Sequence, residues 1–291
     1  MFLLCYAAVC LVWGSTYLAS RFAVQTIPPL LMSGVRFMIA GGCMFVVLRL
    51  RSVPLPTRPQ WLATSIIGAL LITCGNGGFT IAVRYVPSGV AALLATSLPL
   101  WTVLMDWLRP QGSRPSGGMS AGLLLGFVGI VFLVQPWNSR AADVHGEPLY
   151  MMLICGAIAA WAVGSLYARQ ANVPASPLMT TAAQMLAGGA LMTLIGTGLG
   201  EWSQVHWSEI SAKSLVSMLY LIIFGSIVAF SAYAWLVKHV SPALASSYTY
   251  VNPLIALVLG WLLGGETITG TMLGAGAIIL LAVVMIAKYK A

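Results

Sequence analysis

The sequence predicts an all-α integral membrane protein of ten transmembrane helices, set out as two five-helix repeats of opposite orientation. Three observations carry this prediction. Charged residues are scarce, apolar runs of bilayer-crossing length recur ten times, and the second half of the chain repeats the first at an offset of about 150 residues.

Of 291 residues, 59% are hydrophobic and only 7% are charged. A soluble globular protein carries about 25% charged residues. This chain cannot cover a water-facing surface, so lipid must be its main solvent. Lys and Arg number 14 against 6 Asp and Glu, a net charge of +8. The basic residues are scattered singly, which points to membrane topology rather than to nucleic acid as a partner. The chain enters its first apolar run without a basic leader, so that run reads as a retained helix. Cys5, Cys10, Cys43, Cys74 and Cys155 lie inside apolar segments without CxxC pairing and read as small helix-packing residues.

A hydrocarbon core of about 30 Å needs roughly 20 helical residues. The first run, 3–24, places Trp13 and Tyr17 on one face at i, i+4 spacing. The second, 30–50, follows "QTIPP" and holds Arg36, the one basic residue well inside a span. The third, 62–84, follows "RSVPLPTRP" and contains "CGNGGFT", where glycines permit close approach or unwinding and Asn76, near Thr80, needs a partner. The fourth, 88–108, carries Pro99 at its middle and Asp106 near its end. The fifth, 118–136, has Gly122 and Gly126 at a helix-packing spacing. The sixth, 149–168, sets Trp161 and Ser165 on one face, and the seventh and eighth are 178–198 and 214–237. The ninth, 243–263, holds a polar and aromatic cluster of Ser246, Ser247, Tyr248, Thr249, Tyr250 and Asn252, next to Pro253. The tenth, 269–287, repeats the glycine pair as Gly270 and Gly274.

Orientation follows from Lys and Arg. Alternate connections and the C-terminus hold Arg49, Arg51, Arg58, Arg109, Arg114, Arg169, Lys238, Lys288 and Lys290, with only Asp106 among the acids. The other side has Arg21, Arg84, Arg140 and Lys213 against Asp143, Glu147, Glu201, Glu209 and Glu266. The basic side is expected to be cytoplasmic, with both termini inside and the opposite loops periplasmic in a bacterium.

Internal duplication is visible in four places. "GSTYLASR" returns as "GSLYARQ", and "LMSGVRFMIAGG" as "LMTTAAQMLAGG". "VPSGVAALLATSLPLWTVLMDWL" returns as "VSPALASSYTYVNPLIALVLGWL", so Pro99 falls on Pro253 and Trp107 on Trp261. "GLLLG" matches "GTMLG". The repeats divide the chain at 1–140 and 141–291. Five spans is an odd number, so the second copy must enter the membrane upside down, the plan of many secondary transporters. Pro253 denies the Thr249 carbonyl its helix partner, and Pro99 does the same to Ala95. Such paired breaks mark either a wet cavity at mid-bilayer, with the prolines as hinges, or a pair of packing kinks.

The candidate substrate-binding residues are Trp13, Tyr17, Arg36, Asn76, Thr80, Trp161, Ser165, Tyr248, Tyr250 and Asn252. They suggest aromatic walls with scattered hydrogen-bonding groups, suited to flat amphiphiles or zwitterions. Arg36 would either bind a substrate carboxylate or close an outer gate, or it snorkels to helix carbonyls. Asp106 is the candidate for proton coupling, since His145, His206 and His239 fall at ends or loops. An intramembrane enzyme would need a nucleophile and a base at one depth. Ser15 and Ser165 follow glycine, but no histidine lies mid-membrane and no metal-binding motif exists. An ion channel would want charged rings or a carbonyl filter, neither of which is visible.

At these residues the sequence resembles the EamA family of the drug/metabolite transporter superfamily. "VWGSTYLASR" is similar to its first-helix signature, "GVRFMIAGG" to its second-helix pattern, and "VNPLIALVLGWLLGGETITGTMLGAGAII" to its terminal Pro…Glu…Gly signature. The resemblance covers nearly the whole chain. It implies a ten-helix carrier that exports small metabolites, such as amino acids, or amphiphilic drugs across a bacterial inner membrane by alternating access. It implies no organic cofactor and no metal, a small-molecule substrate and a lipid bilayer as partners, and leaves a homodimer open. The first repeat offers "RPQGSR" where Glu266 would match, so Glu266 reads as a cap or hinge contact at the start of the tenth span.

Overall fold

The structure is a computed structural model that describes residues 1–109, 112, 114–135, 146–240 and 248–290. Arg140, Asp143 and His145, the 140/141 repeat boundary, and Ser246 and Ser247 of the ninth-span cluster lie outside the described residues. Every regular element among the described residues is helical. Helix α1 is Phe2–Ala23 and α2 is Pro29–Leu50. Helix α3 runs through Arg58–Gly68, a π-helical stretch Ala69–Gly77, and Gly78–Ala82. Helices α4, Ser88–Ala95, and α5, Leu98–Leu108, are followed by α6, Gly117–Val134. In the second half come α7, Pro148–Ala168, and α8, Pro177–Gly198. Helix α9 joins Ala212–Tyr220, a second π-helical stretch Leu221–Val228, and Ala229–His239. Helices α10, Tyr248–Gly264, and α11, Gly270–Lys290, complete the chain.

Eight of these are long and apolar enough to cross a membrane, and the bent pair α4 and α5 makes a ninth. Helix α10 counts 17 described residues. The set is consistent with ten crossings. The chain is a multi-pass membrane protein whose outward side chains, Leu124, Leu254 and Leu281 among them, are apolar as acyl chains require.

Proline sets several helix starts. Pro29, Pro59, Pro99, Pro148 and Pro177 all stand in first turns, where the missing N–H would have had no helical partner. For Pro99 the expected interruption takes the form of a full break. Its helix is not continuous across it: the chain breaks at Thr96–Ser97, bends by 40°, and restarts with Pro99 in the first turn of α5. Pro253, in contrast, lies inside α10. The two matched prolines therefore disturb the chain differently.

The glycine contacts establish the inverted repeat. A Cβ built on Gly34 of α2 would fall 2.9 Å from Thr193 N and 3.0 Å from Gly189 O of α8, and one on Gly41 would fall 2.9 Å from Met185 Cβ. Numbers rise along α2 while they fall along α8, so the matched helices run antiparallel. The same holds for α6 and α11: Gly118 meets Tyr289, Gly122 meets Ile286 at 2.9 Å, and Gly129 meets Ile279 at 2.9 Å. The packing of the first helix of each half follows the same two-fold relation. Helix α1 packs on α9 and α10, and its counterpart α7 packs on α3, α4 and α5.

Two expectations about small residues fail. Nothing lies within 4 Å of a Cβ on Gly270, and Gly274 would meet only Phe132 at 3.9 Å, so the second glycine pair makes no tight contact. Cys43 and Cys74 are exposed toward lipid rather than packed between helices. In hydrocarbon a lipid-facing position and a packed one can have the same polarity, which hides the difference from sequence.

Glu266 is also placed differently than expected. It leaves the start of α11 alone and seals the N-terminus of α4. Ser88 N and Ser88 Oγ donate to its Oε1 at 2.8 and 2.7 Å, and Gly89 N donates to Oε2 at 3.0 Å. Arg21 at the end of α1 forms an ion pair with the same carboxylate. On the same rim Glu201 accepts from Leu30 N at 3.2 Å and Leu31 N at 2.8 Å, capping α2. Orphan N–H groups at both helix starts are thus met by carboxylates from the other half.

Candidate functional site

A cavity of about 190 Å³ is walled by residues of both halves. Helices α1 to α5 and α7, α9 and α10 all contribute to its wall. Of the residues singled out in sequence, Trp13, Tyr17, Arg36, Asn76, Trp161, Tyr248, Asn252 and Pro253 line it. Thr80, Ser165, Tyr250, Pro99 and Asp106 do not.

Aromatic rings face the cavity from several helices. Trp13 holds Tyr248 at 4.9 Å, with Phe230 and Tyr233 both at 5.2 Å between ring centroids. Tyr17 sets the edge of its ring against Phe79, 5.3 Å away. Trp161 lies across Gly75, where a Cβ would be 2.9 Å from its ring. That contact accounts for glycine at position 75.

Polar groups enter through breaks in regular helix. In α10 the Asn252 amide, oriented with its nitrogen toward the acceptors, donates to Tyr248 O and Cys10 O, both at 3.1 Å. Asn252 therefore ties α10 to α1 beside Pro253. In α3, Thr80 Oγ1 donates to Asn76 O at 2.8 Å and stands 2.9 Å from Ser33 Oγ. Thr80 is buried behind the wall and positions Asn76 rather than facing the cavity.

Arg36 is only 4% exposed yet reaches the cavity. Its Nε donates to Ser226 Oγ at 3.0 Å, and its Cζ lies 4.6 Å from the centre of the Phe37 ring. Gly225 makes room for the guanidinium, since a Cβ there would be 3.3 Å from Nη2, and its carbonyl accepts from Trp13 Nε1 at 3.2 Å.

Gly225 and Ser226 were not among the sequence candidates. They sit in the π-helical stretch of α9, as Gly75 and Asn76 sit in that of α3. At the offset of the duplication, Gly75-Asn76 falls on Gly225-Ser226, and that match is the signal that could have found them. Each wide turn frees local backbone geometry at the depth where the cavity needs it, as π-bulges commonly do at functional sites.

The other candidates lie off the wall. Tyr250 packs into the apolar core, and Ser165 is half-buried one turn beyond Trp161. Asp106 pairs with Arg109 at 2.7 Å, one turn on at the end of α5.

The fold and the sequence have clear relatives. The EamA-like transporter family matches residues 1–135 and 148–288. The uncharacterized inner membrane transporter YedA of Escherichia coli (strain K12) is 37% identical over 284 residues, covering 97% of this chain and 89% of that protein. A Salmonella typhimurium (strain LT2) protein named "Probable amino-acid metabolite efflux pump" is 25% identical over 287 residues, covering 94% of this chain and 90% of its own length. A protein crystal structure superposes with a TM-score of 0.64 at 22% identity, covering 99% of this chain and 97% of that one, a likeness of fold. With both halves matched and antiparallel, the chain belongs to the EamA-like transporter family.

Proposed function

We propose that the chain is a secondary carrier that exports small metabolites, amino acids or related compounds among them, across a bacterial inner membrane by alternating access. The observation that carries this reading is the cavity. It is walled by both inverted halves and takes aromatic surface and hydrogen-bonding groups from each. Rocking one half against the other would expose the same site first to one side and then to the other. The names of the relatives support transport, export and an inner-membrane location.

In this reading Trp13, Tyr17, Trp161 and Tyr248 hold the body of the substrate, and Arg36, Asn76 and Asn252 hold its polar groups. Thr80 positions Asn76, while Pro99 and Pro253 mark where α4–α5 and α10 flex. Residues 1–140 and 141–291 are the two moving halves, and both termini face the cytoplasm. Asp106 is the residue to test for proton coupling, and simple exchange needs no such group. Amphiphilic drugs form the second substrate class of the family resemblance. The cavity volume of about 190 Å³ disfavours them, since drug-sized pockets occupy roughly 300–1,000 Å³.

The test is transport by purified protein in liposomes. A carrier gives saturable uptake that is stimulated by the same solute on the opposite side. Steady conductance without saturation would mark a channel and overturn the reading.

A further inference from the structure

We propose that the transported solute is an organic carboxylate, and that Arg36 is its counter-ion. This rests on the carrier reading above and narrows it to a substrate class. A cation buried inside a membrane-spanning helix is costly, so it is retained where something offsets it. For Arg36 the protein supplies little. Among the described residues no carboxylate lies within salt-bridge distance of it, while Arg21 and Arg109 both have one. Glu201 and Glu266 are committed to helix starts at the rim.

What the protein does supply is orientation. A guanidinium has five N–H donors in a planar fork. Ser226 takes the one on Nε, the Phe37 ring lies beneath, and Gly225 leaves space beside Nη2. The edge formed by Nη1 and Nη2 is the part left to meet a ligand. That edge matches the two oxygens of a carboxylate, which it can bind through two parallel hydrogen bonds. Ser226 itself is fully buried and stands in the π-helical stretch of α9. The fork is therefore held from the half of the molecule opposite to its own.

Size and shape complete the class. An engineered apolar cavity of about 150 Å³ accepts benzene. The cavity here is about 190 Å³ and is faced by Trp13, Tyr17, Trp161 and Tyr248. A flat body near the size of one ring, carrying one carboxylate, fits both the volume and the fork. Cationic amphiphiles fit neither, because the charge inside the cavity has the wrong sign for them.

The test uses purified full-length protein at pH 7 and matched probes: benzoate with benzamide, 3-phenylpropanoate with 3-phenylpropanamide, and phenylethylamine as the cation. Binding is read by calorimetry and by thermal shift. The expected result is that at least one acid binds, at least tenfold more tightly than its amide, and that the amine does not bind. Arg36→Gln should bring acid and amide to within about twofold. Should that variant fail to fold, the acid–amide ratio of the unmodified protein decides, and Ser226→Ala should lower it. Acid and amide binding alike, amine binding without acid, or no acid binding at all would each overturn the assignment. The two readings fail separately. Saturable counterflow of neutral or cationic solutes with inert acids removes the carboxylate assignment and keeps the carrier. Selective acid binding with flux that never saturates does the reverse.

Discussion

Glu266 and Ser88, 178 positions apart, are joined twice: the serine N–H and hydroxyl both donate to the same carboxylate oxygen, at 2.8 and 2.7 Å. The other oxygen takes Gly89 N, and Arg21 closes the site as an ion pair. Glu266→Ala is expected to lower stability by about 2 kcal/mol, because it leaves buried helix-start donors unmet and removes the partner of the half-exposed Arg21. Glu266→Gln keeps one acceptor oxygen and should lose about half as much. Thermal unfolding in detergent compares the two, and equal loss in both variants would rule out the acceptor role.

Glu201 makes a similar cap on Leu30 and Leu31, without an arginine. Glu201→Ala should cost about 2 kcal/mol through the two unmet N–H groups. The exposed Glu209 serves as control, and Glu209→Ala should stay within about 0.5 kcal/mol.

Asn252 is expected to affect ligand more than folding. Asn252→Leu removes a polar group from the cavity wall and leaves Cys10 O and Tyr248 O without that donor. Ligand affinity should fall at least fivefold, about 1 kcal/mol of binding, seen as a smaller ligand-induced thermal shift with the unliganded protein still folded. Unchanged affinity would remove Asn252 from the site.

Asp106→Asn addresses coupling. Its ion pair with Arg109 lies at the end of α5, off the cavity wall. Counterflow should persist within about twofold, and so should flux driven by a pH gradient if Asp106 only anchors Arg109. Loss of the gradient-driven flux alone would assign proton coupling to Asp106.

The two glycine pairs make opposite predictions. Gly122→Leu should destabilise by about 3 kcal/mol, since Ile286 already stands 2.9 Å from a Cβ there. Gly270→Leu should be tolerated within about 0.5 kcal/mol, because that position faces open space. Unfolding midpoints of the two variants settle the contrast.

Much of this architecture was legible in residues. Apolar runs near bilayer length and the match of Val86–Leu108 to Val240–Leu262 disclose two copies of one plan. Trp13 and Tyr17 share a helical face, and that face does meet the cavity. Glu266 was misplaced because its partner is a helix start far away in sequence, and no local pattern encodes so distant a cap. Ser226 was overlooked because one hydroxyl in "FGSIVAF" carries no sign of a buried arginine beside it. The π-helical stretches were invisible for another reason. A turn widened by one residue leaves the side-chain pattern unchanged, so only backbone hydrogen bonding reveals it.

Both rim carboxylates come from the second half and grip the first. Residues 1–140 hold a single acidic residue, Asp106, already engaged with Arg109. Among the described residues they send no carboxylate across the far face in return. Parting the clasped face must break charge-assisted bonds, whereas among the described residues no ion pair joins the halves on the other face. The cycle is therefore lopsided: the molecule should dwell with its clasped face shut, and unfastening Glu266 should set the pace of turnover.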